Sequence, residues 1–394
     1  GLVQVLENGA SLRIAHGQPV YYSDILGSFL SDPQTDRIVF KADGIEYRFP
    51  NGRVGLHELH LAETSGKLIG IMGGSGSGKS TLLNVLNGNL KPCKGKVTIN
   101  GVDVHEQAGM IRGVIGHVSQ DDLLIEELTV FQNLYFNAKL CFGDRSNEEV
   151  AKRVLGLLQS LGLFESKDLK VGSVLDKTIS GGQRKRLNIA LELIREPSVL
   201  FVDEPTSGLS SRDSENIMDL LKELALKGRI VFTVIHQPSS EIFKLFDRLL
   251  LMDQEGNPVY YGDPVDAVVY FKKVTGQADS DMGQCEACGN VNPEQIFNIL
   301  EAKIVDEYGH ETDQRRIGPD AWNEVFRAQM EVRVAKVADE QNVPQSTFKA
   351  PGRIKQMAVF LRRDVLSKLS NRQYVLINLL EAPALAFVMA FFLR

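Results

Sequence analysis

The sequence predicts an α/β fold in which helices cover a mainly parallel sheet, and three observations carry that prediction. Apolar runs at Lys67–Met72, Val199–Val202 and Ile230–Ile235 have the length and continuity of strands buried on both faces. Stretches of helical spacing separate them, and such alternation builds parallel sheets. The first run ends in glycines and helical spacing resumes at Thr81–Leu86, so a strand, a Gly-rich loop and a helix follow in order.

Residues 1–35 hold a few apolar clusters and the pair Tyr21, Tyr22, without periodicity or motif, and no role is assigned to this N-terminal segment. From Arg37 the chain alternates at Ile38 and Phe40 and again at Ile45, Tyr47 and Phe49, and Pro50, Asn51 and Gly52 supply a turn. An antiparallel β-subdomain therefore opens the core. A helix-rich stretch runs from about Val130 to Leu163, a further helix begins near Gln183, and the whole of residues 36–275 is read as one domain. Beyond Thr275 the composition turns polar. A helical linker is expected over residues 276–350, with short amphipathic helices around Pro293–Tyr308 and Asp320–Val337.

Arg353–Ser370 puts Ile354, Met357, Leu361, Val365 and Leu369 on one side at helical spacing, with Lys355, Arg362, Arg363 and Lys368 free to meet phospholipid headgroups. Residues 351–372 thus read as a membrane-surface helix. Tyr374–Leu393 is almost entirely apolar and long enough to span a bilayer, with Lys368 and Arg372 on its cytoplasmic flank. Residues 373–394 read as a first, truncated transmembrane helix. Glu381 and Pro383 interrupt it, and a carboxylate is costly enough in lipid to face other helices or a substrate route.

Composition narrows the class. Hydrophobic residues at 43% and charged residues at 24% fit an ordinary globular protein and exclude wholesale disorder. A net charge of -6 lacks the basic excess of a dedicated nucleic-acid binder, so no nucleic-acid partner is expected. The four cysteines, Cys93, Cys141, Cys285 and Cys288, are too scattered for a disulfide framework and suit a reducing compartment. Cys285 and Cys288 have the spacing of half a zinc site, without a second pair to complete it. The start at Gly1 reads as that of a trimmed fragment.

Chemistry concentrates in two places. Gly73, Gly74, Ser75, Gly76, Ser77, Gly78, Lys79 and Ser80, followed by Thr81, fit the pattern of a phosphate-binding loop, in which glycines let backbone N–H groups converge on phosphate oxygens. Lys79 adds the charge a triphosphate demands, and the Ser80 hydroxyl is placed to ligate Mg2+. The strand Val199–Val202 then ends in Asp203 and Glu204, one carboxylate for the metal and one to act as general base on a water.

Ile179, Ser180, Gly181, Gly182 and Gln183 resemble the signature motif of ABC transporters, with Ile179 in place of the usual Leu. The resemblance implies an ABC-type P-loop ATPase core with a β-subdomain and a helical subdomain. It implies binding of ATP and Mg2+, and a second ATPase domain, most simply an identical one, whose bound nucleotide meets Ser180, Gly182 and Gln183 in trans. Gln120 resembles the family's Q-loop residue, which contacts Mg2+ and the attacking water, and His236 resembles the switch histidine at the γ-phosphate. Phe49 resembles the aromatic that stacks on adenine, with Tyr47 as runner-up. The family's loop after the acidic pair usually ends in Asp; here Ser210 stands there.

More narrowly, Ile235–Phe243 and Tyr260, Tyr261, Gly262 look like the G subfamily, in which the ATPase domain precedes the transmembrane domain on one chain. That implies ATP hydrolysis coupled to transport, outward in sense as an exporter, with the ATPase on the cytoplasmic side of the cell membrane. The alternative is a soluble ABC-type ATPase acting on ribosomes or DNA. The cargo would be chosen by membrane helices and is not written in these motifs.

Overall fold

The structure, a computed structural model, describes residues 11–12, 20–21, 37–173, 178–277, 283, 291–308, 310–329 and 346–392. Cys285 and Cys288 lie outside the described residues, as does most of the N-terminal segment.

In chain order, β1 (Ser11–Leu12) and β2 (Val20–Tyr21) form a short antiparallel pair. Then come β3 (Val39–Arg48), β4 (Val54–Thr64), β5 (Lys67–Gly73), α1 (Lys79–Leu86), β6 (Lys94–Ile99), β7 (Val102–Asp103) and β8 (Ile115–Val118). Helices α2 (Val130–Cys141), α3 (Asn147–Ser160) and α4 (Gly181–Leu193) follow. The chain continues through β9 (Val199–Asp203), α5 (Ser211–Leu226), β10 (Ile230–Val234), α6 (Ser240–Leu245), β11 (Arg248–Asp253), β12 (Asn257–Gly262) and α7 (Pro264–Val274). It ends with α8 (Glu294–Leu300), β13 (Lys303–Val305), β14 (Glu311–Arg315), α9 (Pro319–Gln329), α10 (Arg353–Ser370) and α11 (Arg372–Phe392).

These elements fall into two compact units, residues 1–120 with 196–346, and residues 121–195 with 347–394. In the first, a six-stranded sheet has the order β12-β11-β5-β10-β9-β8, parallel throughout except for β12. Its central strand β5 buries Leu68, Ile69, Ile71 and Met72 at 1% exposure or less, which is why it reads as one continuous apolar run. A four-stranded antiparallel sheet, β4-β3-β6-β7, packs beside it. Phe40 of β3 meets Phe232 of β10 at 5.0 Å, and Phe201 of β9 stacks on Phe232 at 5.0 Å, so aromatic packing ties the two sheets into one core.

The segment after α7 departs from the sequence expectation. The helix foreseen over Pro293–Tyr308 stops at Leu300, and the chain pairs β13 with β14 as a hairpin. Ile304 and Val305 are β-branched and favour a strand, and Asp306 accepts the amides of Tyr308 and His310 to make the turn. Helix α9 then packs on β12, where Asn323 donates to the Pro258 carbonyl at 2.8 Å, and its Trp322 meets Phe271 of α7 at 5.2 Å. Of the helix foreseen over Asp320–Val337, residues up to Gln329 are described.

In the second unit, capping boxes start three helices: Thr129 with Gln132 on α2, Ser146 with Glu149 on α3, and Ser180 with Gln183 on α4. Val150, Val154 and Leu158 form the buried stripe of α3 at four-residue spacing. Glu127 accepts hydrogen bonds from Ser367 and Asn371, and Lys170 donates to the Ser370 carbonyl, fastening the end of α10. The apolar side chains Ile354, Met357, Leu361, Val365 and Leu369 of α10 are exposed. Helix α11 runs unbroken through Glu381 and Pro383, is exposed along its length, and is long and apolar enough to cross a membrane.

Candidate functional site

The phosphate loop is shaped by contacts that only glycine permits. Gly73 ends β5, and a Cβ on it would lie 2.3 Å from the Met252 carbonyl oxygen and 2.5 Å from Ser77 Oγ. Gly78 caps α1 with φ 87, where a Cβ would lie 2.8 Å from the Gly55 carbonyl oxygen. The amides at the start of α1 therefore point into the loop with their partial positive charge unopposed, since the first turn carries no acidic residue. Lys79 is nearly buried and donates to the carbonyls of Gly73 at 2.9 Å and Gly74 at 2.7 Å. Burial pulls its pKa below the ordinary lysine value, and the carboxylates of Glu204 and Asp203 work against that pull.

The carboxylates arrive on an adjacent strand. Asp203 closes β9, and Glu204 follows with φ 44, a left-handed conformation that costs a non-glycine residue roughly 1 to 3 kcal/mol. Its N–H donates to the Val234 carbonyl at 3.1 Å, which fixes the bend. The side chain is engaged at both oxygens: Gln120 Nε2 donates to Oε2 at 2.9 Å, and His236 Nε2 lies 2.8 Å from Oε1. Gln120 lies just beyond β8 and His236 just beyond β10, so the C-terminal ends of β5, β8, β9 and β10 deliver Lys79, Gln120, Glu204 and His236 to one edge of the sheet. Ligands of open α/β sheets bind at that edge. Gln237 also has positive φ, at 40°, so strain sits on both sides of the Glu204–His236 pair.

A cavity of about 390 Å3 opens there. Ser75, Gly76, Gly78, Lys79, Ser80 and Thr81 line it, as do Glu204, His236 and Phe49. Gly73, Gly74 and Ser77 belong to the loop but not to the wall, and their oxygens accept from Lys79 Nζ; Asp203 and Gln120 are likewise not part of the wall. Phe49 lies past the end of β3 with its ring edge-on to Tyr47 at 5.3 Å. Tyr47 packs against the core and does not line the cavity. Arg53, Val54, Gly55, Glu255 and Gly256 complete the wall. Sequence reasoning missed these five because they come from two separate segments, although Gly256, Asn257 and Pro258 give a turn signal.

Ser180, Gly182 and Gln183 belong to the other unit. Ser180 Oγ accepts the Gln183 N–H at 3.1 Å, Gln183 Oε1 accepts the Ser180 N–H at 2.9 Å, and Gln183 Nε2 donates to Ser166 Oγ at 3.0 Å. Gly182 is buried. The Gln183 side chain is thus spent on the cap. Ser210 caps α5, accepting the Asp213 N–H at 3.2 Å and donating to Asp213 Oδ2 at 2.9 Å; an Asp here could accept the amide but could not donate to the Asp213 carboxylate.

The family model described as ABC transporter matches residues 56–207. ABC transporter G family member 14 of Arabidopsis thaliana is 42% identical over 211 residues, covering 53% of this chain and 32% of that protein. The solved structure of cbiO1 from Clostridium perfringens, part of the ABC transporter complex cbiONQ, matches with a TM-score of 0.53 at 29% identity, covering 62% of this chain and 96% of that one. An ATP-binding cassette of an ABC transporter, solved in its ADP conformation, matches with a TM-score of 0.53 at 26% identity, covering 61% and 98%. The chain spans about a third of the length of the curated relatives it matches. A phosphate loop whose lysine stands by a paired carboxylate, on a fold shared with these cassettes, marks the chain as carrying an ATP-binding domain of the ABC transporter family, related to those of its G branch.

Proposed function

We propose that this chain hydrolyses ATP to drive export across a membrane, two such domains closing on two nucleotides. The observation that carries the reading is a single cavity bounded by Lys79 at a helix N-terminus and by Glu204, whose carboxylate is engaged by Gln120 and His236. Lys79 and the amides of Gly76–Thr81 bind the phosphates, and Phe49 stacks on the adenine. The Glu204 carboxylate accepts the proton of the attacking water, Gln120 orients that water, and His236 reaches the γ-phosphate. Ser80 and Asp203, hard oxygen donors suited to Mg2+, would hold that ion together with Gln120, and it would supply charge neutralisation across the β- and γ-phosphates.

Ser180 and Gly182, at the N-terminus of α4, act in trans on the nucleotide of the second domain, with Gln183 bracing that terminus. A homodimer is the simplest assembly. The exposed apolar helix α11 favours a membrane domain on the same chain, with the ATPase on the cytoplasmic side, over a soluble ATPase acting on ribosomes or DNA. The test is ATP hydrolysis by the full-length protein in lipid beside a Glu204→Gln variant. Turnover in the parent, lost in a variant that still binds ATP, supports the reading. Tight ATP binding with no turnover in either would leave a nucleotide-binding regulator instead.

A further inference from the structure

The turn joining β11 to β12 carries a side chain that the mechanism above does not use. Gln254–Gly256 forms it, with Glu255 at φ 61, ψ 19 and Gly256 at φ 79. Two successive left-handed residues favour Asn or Asp followed by Gly, so Glu is a poor choice for the turn itself. A non-glycine residue held in that region is a pointer to function when its side chain borders a site. Glu255 borders the cavity of Phe49 and Lys79.

Its level within the cavity follows from three close approaches. A Cβ on Gly55 would lie 2.6 Å from the Phe49 ring. A Cβ on Gly256 would lie 2.4 Å from the Gly55 carbonyl oxygen. A Cβ on Gly78 would lie 2.8 Å from that same oxygen and 3.3 Å from Gly256 Cα. Gly55 therefore joins the aromatic ring to the turn and the phosphate loop, and the turn lies against this linking residue. A nucleotide with its base on Phe49 and its phosphates on the loop has its sugar at this height.

An ionised carboxylate only accepts hydrogen bonds, so its partner there must be a donor. Phosphates repel it. Ribose offers two vicinal hydroxyls to its two oxygens, and an acidic side chain performs the same task on the ribose 2′-hydroxyl in dinucleotide-binding folds. Arg53, on the same wall, supplies a compensating positive charge. We infer that Glu255 accepts hydrogen bonds from the ribose hydroxyls and makes this site select ribonucleotides over 2′-deoxyribonucleotides. This assignment rests on the ATP-site reading above.

Equilibrium binding of ATP and of 2′-deoxy-ATP to the full-length protein tests it, with Lys79→Ala as the control. The parent is expected to bind ATP about tenfold more tightly than 2′-deoxy-ATP, the size of one hydrogen bond to a charged group. Glu255→Asn suits the left-handed position and should narrow the gap to about twofold or less by weakening ATP more than 2′-deoxy-ATP, which loses only the contact to its 3′-hydroxyl. Glu255→Gly, which relieves the backbone strain, should do the same, so a folding defect is distinguishable from a lost contact. Equal affinities in the parent, or equal weakening of both nucleotides in the Asn and Gly variants, overturns the role of Glu255 and leaves the ATP site standing. No ATP binding in the parent, or binding that survives Lys79→Ala undiminished, overturns the ATP site and this assignment with it.

Discussion

His236 Nε2 lies 2.8 Å from Glu204 Oε1, joining the residues that follow β10 and β9 across the mouth of the cavity. Each of these strand ends carries a left-handed residue, Gln237 at φ 40 and Glu204 at φ 44, so the pairing is held by backbone geometry as well as by the side chains. His236→Ala should lower ATP turnover by roughly 10- to 1000-fold while ATP binding changes little, because the loss falls on orientation and charge in the transition state. Steady-state hydrolysis and equilibrium binding on the same preparation check this. A drop in affinity that matches the drop in turnover would make His236 a binding residue instead.

Gly78 tolerates no side chain. With φ 87 and a Cβ position 2.8 Å from the Gly55 carbonyl oxygen, Gly78→Ala must shift backbone at the start of α1. Destabilisation of about 1 to 3 kcal/mol is expected, with loss of nucleotide binding at temperatures where the fold survives. Gly52, also at positive φ but with open space around its Cβ position, should cost less on the same substitution. Denaturant melts of the two variants give the comparison.

Phe49 and Tyr47 should separate by phenotype. Phe49 lines the cavity and Tyr47 packs on the core, so Phe49→Ala should weaken ATP binding with a modest loss of stability. Tyr47→Ala should leave ATP affinity nearly intact and cost about 2 to 4 kcal/mol of stability. The reverse pattern would assign the base-stacking role to Tyr47.

Alkaline titration should expose a cluster of protected tyrosines. Burial pushes the Tyr270 hydroxyl up to about 12. Tyr260 and Tyr261 are raised as well, in both cases by burial first, with the Asp266 carboxylate next for Tyr260 and the Glu63 carboxylate next for Tyr261. A phenol whose folded pKa is raised keeps its proton in the native state while the unfolded chain releases it near 10. Stability is therefore untouched below pH 10 and falls as pH climbs from 10 towards 12 and beyond. Phenolate absorbance should lag behind that of exposed tyrosines and rise together with loss of the fold. Simple titration of all the tyrosines near 10 in the folded protein would contradict it.

Much of the site was legible in one dimension because its chemistry is local. The loop Gly73–Ser80 needs glycine at fixed positions to bend and a lysine at the helix start, and Asp203–Glu204 stand at the end of an unmistakable buried strand. The same locality explains the exact bounds of α10, whose apolar spacing predicts a helix from Arg353 to Ser370 and whose structure has one. Periodicity served less well at Pro293–Tyr308, where Ile304 and Val305 satisfy helical spacing by accident and a hairpin partner, Glu311 opposite Val305, decides for a strand.

Sequence by itself picked out the residues proposed to carry phosphate, metal and proton chemistry, because those roles are written in residue type at short spacing. Tertiary structure decided which aromatic faces the cavity, that Glu204 is engaged by both Gln120 and His236, and that Arg53 and Glu255 border the cavity. Those relationships join segments far apart in the chain, and they arise only when parallel strands end side by side and the glycines at 55, 78 and 256 let three turns touch. No spacing rule along a single chain encodes such contacts, since loop closure over long separations depends on the packing of the whole sheet.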